Sequence, residues 1–179
     1  KALFRKAASP ATRLSVLAKI AALLPTHTRR SEESEAFQQF STPLPLGLAA
    51  LTAAAITPAD RVLEPSAGTG LLAILAATES SALILNELAE TRVELLASLF
   101  PATPVTRFDA AQIDDYLDAT AVPSVALMNP PFSALAHVAG RSADAGFRHI
   151  ASALNRLAPG GRLVAITGAN VGPDMPDWR

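Results

Sequence analysis

The strongest constraint on the fold is a regular alternation of short β-type runs and helical segments from residue 61 to residue 167. Neighbouring parallel strands need a long return connection, and right-handed crossover helices supply it. The alternation therefore predicts an α/β fold with a doubly wound, mostly parallel sheet. The predicted strands cover 61–63, 82–85, 105–108, 125–128 and 162–167, and the predicted helices between them cover 71–77, 88–99, 111–117 and 144–157.

Composition suits a globular chain and excludes several kinds of site. The chain has 179 residues, of which 50% are hydrophobic and 17% are charged, which is enough to bury a core without disulfides or metals. It contains no cysteine, so a disulfide scaffold, a thiol nucleophile and cysteine-ligated zinc are excluded. Its histidines, His27, His137 and His149, lack metal-ligand spacing, and we assign them no role.

Apolar stretches in this sequence are short. The longest, at 46–56 and 71–77, fall well below the roughly 18 residues that span a bilayer. We therefore expect no membrane partner. A basic-then-apolar leader that ends in small residues is also missing, so we expect a cytoplasmic location.

Positive charge is concentrated at the N-terminus. The first 30 residues contain seven lysines and arginines and no acidic residue, whereas the remainder carries eight basic and 16 acidic side chains. Ser9-Pro10 is typical of a helix start, and Leu14, Leu17 and Ala21 follow at helical spacing. Residues 1–35 are interpreted as a basic helix and a linker. The helix is either an arm that contacts phosphates or a helix that simply packs on the domain.

A second segment, 36–179, begins with another helix start, in which Thr42 would cap the helix and Pro43 would take its first position. It also contains a glycine-rich loop after the first predicted strand. That loop reads Glu64-Pro65-Ser66-Ala67-Gly68-Thr69-Gly70, at a position where open α/β sheets bind ligands. Its glycines permit close backbone approach, and a glutamate at its mouth suits a cation better than a pyrophosphate. A complete GxGxxG motif and a phosphate-loop lysine are both missing. A plain strand–turn–helix junction is the alternative interpretation.

Two acidic residues follow the next two strands. Glu87 comes about 20 residues after the loop, where nucleotide-binding sheets often place an acid on the ribose hydroxyls. Asp109, followed by Ala110, ends the third strand and could accept a hydrogen bond from an adenine amino group. Singly, each could be an ordinary helix-start acid favoured by the helix dipole. Together, they favour a nucleoside site.

The most informative string is Asn129-Pro130-Pro131-Phe132, which ends the fourth strand. Two consecutive prolines exclude a helix and would hold the Asn129 side chain and the Pro130 carbonyl as rigid acceptors. A planar amino group could donate to both. Phe132 offers a face on which a base can stack, a contact worth ~1–3 kcal/mol. The string predicts alkylation of an amine, and a bare turn is the alternative.

These motifs, in this order, resemble the Rossmann-like S-adenosylmethionine-dependent methyltransferases of the N6-adenine type. The resemblance covers roughly residues 40–168. Phe40-Ser41-Thr42-Pro43 is similar to the family's FxTP element near the cofactor methionine, and the loop 64–70 is similar to its DPxxGxG loop, with glutamate in place of aspartate. Glu87 matches the family's ribose-binding acid, and Asp109 matches its adenine-binding acid. The string Asn129-Pro130-Pro131-Phe132 is similar to its amine-binding NPPF tetrapeptide.

The resemblance implies an enzyme that transfers a methyl group from S-adenosylmethionine to an exocyclic amine of a nucleobase, with adenine N6 in DNA as the first choice. Having FxTP before the loop and NPPF after it is the γ-type order, which includes the modification subunits of restriction systems. Segments 63–72 and 127–133 are also similar to the methyltransferase-like region of bacterial strawberry-notch-like helicase proteins.

Other functions stay open at this point. The tetrapeptide also resembles those of guanine-N2 methyltransferases of RNA and glutamine methyltransferases of protein. A different class is a non-catalytic nucleotide- or DNA-binding module of a larger helicase-like protein. The family's sheet normally closes with an antiparallel hairpin, and a separate region reads the DNA; neither is visible in the sequence. We therefore expect the C-terminal strands to be truncated and further domains of the same polypeptide to follow Arg179.

Overall fold

The computed structural model describes residues 9–23, 41–131 and 144–168. The strands are β1 (Arg61–Glu64), β2 (Ala82–Asn86), β3 (Val105–Thr106), β4 (Val125–Met128) and β5 (Arg162–Ala165). They form one five-stranded sheet of order β3-β2-β1-β4-β5, in which every neighbouring pair is parallel. The chain winds outward from β1 in one direction and then returns to β4 on the other side. The predicted doubly wound α/β fold is confirmed.

Helices cover both faces of this sheet. They are α1 (Pro10–Leu23), α2 (Leu44–Ala54), α3 (Leu71–Ala76), α4 (Glu90–Leu99), a 3₁₀ turn (Ala110–Gln112), α5 (Ile113–Tyr116) and α6 (Asp144–Arg156). Helices α2, α3 and α4 pack on one face, and α5 and α6 pack on the other. Among the described helices, none combines the length and the hydrophobicity that crossing a membrane requires.

The central strand β4 contributes side chains to the hydrophobic cores on both faces of the sheet. On β4, Val125 and Leu127 pack with the residues of α2, whereas Ala126 and Met128 pack with α6. All four side chains are fully buried. A continuous apolar run of this kind is expected of a parallel strand that is covered on both faces.

The predicted third strand is longer than the observed one. It extends to residue 108 in the prediction, but β3 pairs with β2 only at Val105 and Thr106. Beyond that point the side chain of Asn86 replaces the main-chain partner: its Oδ1 accepts from the Phe108 amide at 2.8 Å, and its Nδ2 donates to the Phe108 carbonyl at 2.9 Å. A buried amide therefore ends the ladder early.

Helix α1 starts as predicted, because the Ser9 hydroxyl accepts from the Thr12 amide at 3.2 Å. Its only fully buried side chain is Leu17, and Leu14 is 43% exposed. The Arg13 guanidinium lies 2.9 Å from the carboxylate of Glu79, so this cation pairs within the domain. That contact favours packing over a phosphate-binding arm for this end of the helix. Residues 24–40, with the predicted boundary at 35, lie outside the described part of the chain.

Asp60 ties together the starts of the central strands at the amino edge of the sheet. Its carboxylate accepts from the Thr57 amide at 2.8 Å and from the Ser124 hydroxyl at 2.7 Å, and it pairs with Arg162 at 2.8 Å. Arg162 also donates to the carbonyls of Ala54 and Ala55 at the end of α2. These hydrogen bonds, led by the one from Arg162, lower the pKa of Asp60 well below its usual range.

We expect Asp60→Ala to lower the free energy of unfolding by about 3 kcal/mol at pH 7, because it leaves Arg162 and two strand starts without their shared acceptor. A carboxyl group with a depressed pKa stabilises the fold above the pKa that it has when unfolded, about 4. The wild type should therefore lose stability as the pH falls below about 4, and the variant should lose less. Urea unfolding at pH 7 and pH 3 measures both effects, with the exposed Asp115→Ala as control. Equal losses for Asp60→Ala and Asp115→Ala would contradict the assigned role.

Candidate functional site

The change of winding direction between β1 and β4 creates a crevice at the carboxyl edge of the sheet. The chain leaves β1 toward β2 and leaves β4 toward β5, on opposite sides of this strand pair. Ligands of open α/β sheets bind where connections diverge in this way. The glycine-rich loop follows β1 and Asn129 follows β4, so both predicted motifs lie at the crevice.

The loop between β1 and α3 brings its backbone close to neighbouring segments. Gly68 and Gly70 have φ values of 57° and 80°, in the left-handed region that favours glycine. A Cβ atom on Gly70 would lie 2.9 Å from the Leu96 side chain, so a larger residue requires a shift. The Gly68 amide donates to Glu87 Oε2 at 2.7 Å. Glu87 thus anchors the loop through the Gly68 amide.

Glu64 lies beneath the loop rather than at its open mouth. Its side chain is 3% exposed, and its Oε2 atom is buried without a hydrogen-bond partner. Burial, with a smaller contribution from the charge of Glu87, raises the pKa of Glu64 well above its usual value, and a backbone hydrogen bond from Ala73 opposes the shift. A buried carboxyl oxygen without a partner is a site where a cationic group would be stabilised.

Glu87 is also buried, at 7% exposure, and its second oxygen accepts from the Ala89 amide at 2.9 Å. Beside it, the amide of Asn86 connects three segments of the rim. Besides its bonds to Phe108, it donates to the Pro65 carbonyl at 2.8 Å and accepts from the Thr106 hydroxyl at 2.8 Å. The sequence motifs assign Asn86 no role, although a polar residue that ends a buried strand is a signal for such a network.

Asp109 lies at the next position along the rim and is exposed. Its Oδ1 accepts from the Ala111 amide at 2.9 Å and caps the 3₁₀ turn, so its helix-start role is confirmed.

His149 on α6 lies within electrostatic reach of the Asp109 carboxylate. Its Nδ1 is buried without a partner, and burial lowers the pKa of His149 while Asp109 partly opposes the change. The sequence offered no signal for a His149 placed here, because α6 follows a different strand.

Asn129 connects the fourth strand to the start of the second segment. Its Nδ2 donates to the Thr42 hydroxyl at 3.0 Å, and its Oδ1 is buried without a hydrogen-bond partner. The predicted capping role of Thr42 is wrong: Pro43 occupies the N-cap position of α2, with no side-chain cap. The Thr42 hydroxyl contacts Asn129 instead.

The remaining predicted site residues fall into three groups. Buried ones are Pro65, Ala67, Ala110 and Pro130; half-buried ones are Ser66 and Pro131; and Pro43 is exposed. Ala67 packs with Leu85 and Leu96, and it offers a ligand only its backbone. Phe40 and Phe132 lie outside the described residues. Within the described residues, no group of three or more His, Asp or Glu side chains could hold a metal ion.

No protein-family model matches the chain, and no curated protein matches its sequence. Solved structures do match it. A candidate RNA methyltransferase from Pyrococcus horikoshii superposes with a TM-score of 0.64 over 94% of this chain and 77% of its own, at 20% identity. TrmN from Thermus thermophilus superposes with a TM-score of 0.55 over 89% and 69%, at 20% identity. CalS10, an amino pentose methyltransferase from Micromonospora echinaspora with S-adenosylmethionine bound, superposes with a TM-score of 0.54 over 81% of this chain and 59% of its own, at 18% identity.

The fold is that of the Rossmann-like methyltransferases. The fold implied by the sequence motifs is therefore confirmed, and the adenine-specific part of the resemblance stays a prediction.

In this Rossmann-like methyltransferase fold, the crevice carries acceptors that suit the hydrogen-bond donors of S-adenosylmethionine. Glu64 Oε2 is an orphaned buried acceptor that suits the ammonium of the methionine part. A Cβ atom on Gly68 would lie 3.3 Å from Arg92, and one on Gly70 would lie 2.9 Å from Leu96, so these glycines let the loop pack closely on α4. Glu87 and Asp109 follow adjacent strands, so one nucleoside could span them. The residues present therefore fit this cofactor.

Proposed function

We propose that the chain is an S-adenosylmethionine-dependent methyltransferase that acts on an exocyclic amine of a nucleobase, with adenine N6 in DNA as the first substrate. The observation that carries the proposal is the buried, unpartnered Oδ1 of Asn129 beside the glycine-rich loop. An unsatisfied buried acceptor costs about 1–3 kcal/mol, and an amine N–H that enters the crevice would recover that energy.

The cofactor would be held by the residues of the loop and the rim. Glu64 would bind the ammonium, Glu87 the ribose hydroxyls and Asp109 the adenine amino group. When bound, S-adenosylmethionine supplies an already activated methyl group, so no side-chain nucleophile is required.

The chain's own contribution is then to align the amine. Asn129 Oδ1 and the Pro130 carbonyl would accept the two N–H bonds of the target amine and turn its electron pair toward the cofactor. Alignment of two reactants in one site can lower a barrier by about 7–11 kcal/mol. Phe132 follows Pro131 in the sequence and would offer a stacking face for the base.

RNA is the second candidate substrate. One structural neighbour is a candidate RNA methyltransferase, and the NPPF tetrapeptide also resembles that of guanine-N2 enzymes. Protein glutamine is an alternative on the same tetrapeptide. A non-catalytic, DNA-binding module of a helicase-like polypeptide would not need an orphaned acceptor beside the loop. We also propose a restriction-modification role, because FxTP before the loop and NPPF after it is the γ-type order.

The experiment uses tritiated S-adenosylmethionine with three substrates: duplex DNA of mixed sequence, total bacterial RNA and total bacterial protein. Digestion of the labelled product to nucleosides should place the tritium in N6-methyladenine of DNA. Label in N2-methylguanine of RNA or in protein glutamine would contradict the DNA proposal and support one of the alternatives. If none of the three substrates becomes labelled but the chain still binds S-adenosylhomocysteine, the result would indicate the non-catalytic module.

A further inference from the structure

We propose that Thr42 is a positioning residue whose hydroxyl fixes the orientation of the Asn129 amide, so that Oδ1 rather than Nδ2 faces the target amine. The proposal rests on the proposed function, because it deepens the role of the same site. The sequence motifs assign Thr42 only to the neighbourhood of the cofactor methionine.

The Thr42 hydroxyl can donate or accept, and in the observed contact it accepts, which places the donating end of the Asn129 amide against Thr42. A side-chain amide has one accepting end and one donating end. Asn129 Nδ2 donates to Thr42 Oγ1 at 3.0 Å, and this leaves Oδ1 as the buried end without a hydrogen-bond partner. In the flipped orientation, Nδ2 would present N–H groups to the N–H groups of the amine. Two donors would then face each other, and the amine would lose one of its two acceptors.

The position of Thr42 follows from how α2 is anchored and packed. The end of α2 is fixed at the amino edge of the sheet, where Arg162 donates to the carbonyls of Ala54 and Ala55. The start of α2 is therefore directed toward the carboxyl edge. Along the helix, a Cβ atom on Gly47 would lie 2.9 Å from the Leu75 side chain, so α2 packs tightly on α3.

The hydrogen bond between Thr42 and Asn129 thus joins the segment just before α2 to the residue just after β4. Thr42 takes the donating end of the Asn129 amide, and Oδ1 stays available as an acceptor. This assigns the second segment's first helix a task in substrate orientation, in addition to its packing on the sheet.

Two variants separate this role from direct contact with the cofactor. Thr42→Val keeps the branched shape and removes the hydroxyl, and Thr42→Ser keeps the hydroxyl. If Thr42 orients Asn129, Thr42→Val should lower kcat for methyl transfer to DNA about tenfold, as expected for one lost hydrogen bond. Thr42→Ser should stay within about twofold of wild type, and both variants should bind S-adenosylhomocysteine as tightly as wild type. An unchanged kcat in Thr42→Val, or weaker binding of S-adenosylhomocysteine with kcat intact, would overturn the proposal.

NMR of the Asn129 side-chain amide tests the role of Thr42 without a substrate, and therefore independently of the proposed methyl transfer. In ¹⁵N-labelled protein, the side-chain amide signals of Asn129 are identified by their disappearance in Asn129→Ala. These signals should move in Thr42→Val and remain in place in Thr42→Ser. If wild-type protein methylates none of the substrates, the proposed function fails, and the amide signals alone decide the orientation: signals that do not move in Thr42→Val would overturn it.

Discussion

Asn129→Ala should reduce methyl transfer at least about a hundredfold, the loss that follows removal of one group that stabilises a reacting centre. The reason is that the variant deletes the buried Oδ1 acceptor at the crevice. Binding of S-adenosylhomocysteine should stay within about twofold, because the cofactor is assigned to Glu64, Glu87 and Asp109. Tritium counts on the methylated substrate measure the first effect, and calorimetric titration measures the second.

Asn155→Ala is the matched control for that variant. Its Nδ2 donates to Asp114 at 2.9 Å on the exposed side of α6, away from the rim of the sheet. It should keep wild-type methyl transfer. If Asn129→Ala also keeps the wild-type rate, the amine-orienting role of Asn129 is wrong.

Glu64→Gln should weaken cofactor binding by about tenfold to a hundredfold, since it removes the charge from a hydrogen bond worth about 1.5–3 kcal/mol. The raised pKa of Glu64 means that this carboxyl group holds its proton over a wider pH range before ligand arrives. A bound ammonium favours the charged form and lowers that pKa. Binding should therefore release a proton, and wild-type affinity should increase with pH across this interval.

Calorimetric titrations in buffers of different ionisation enthalpy detect that proton. The observed heat should depend on the buffer for the wild type and become independent of it in Glu64→Gln. Glu79→Gln is the control, because Glu79 pairs with Arg13 after the end of α3, remote from the crevice. If Glu64→Gln and Glu79→Gln bind equally well, Glu64 has no contact with the ligand's cation.

The sheet and the crevice were predictable because local signals agreed with one another. The apolar run 125–128 predicts a doubly covered strand, and the two prolines after Asn129 end it at a defined residue. Likewise, Gly68 and Gly70 adopt left-handed conformations, which glycine reaches without strain. Each of these features depends on residues close together in the chain.

The interactions that decide the chemistry of the site were not predictable in this way. The sequence predicts Glu64 at the mouth of the loop, yet the residue is buried and accepts a backbone hydrogen bond from Ala73 of α3. Thr42 was expected to cap α2, but a proline holds that position and the hydroxyl reaches Asn129, 87 residues away. The burial of a side chain and a partner of distant sequence position are set by tertiary packing, which no local pattern contains.

Calorimetric titration of the chain with S-adenosylhomocysteine tests the cofactor site most directly. We predict saturable binding, an affinity several-fold lower in Asp109→Ala, and no change in Asp118→Ala. Asp118 is a matched control, since it is also exposed and also accepts a hydrogen bond from a backbone amide two residues later. No heat and no change in melting temperature at millimolar ligand would contradict the cofactor assignment, and equal losses in the two variants would contradict the position of the site.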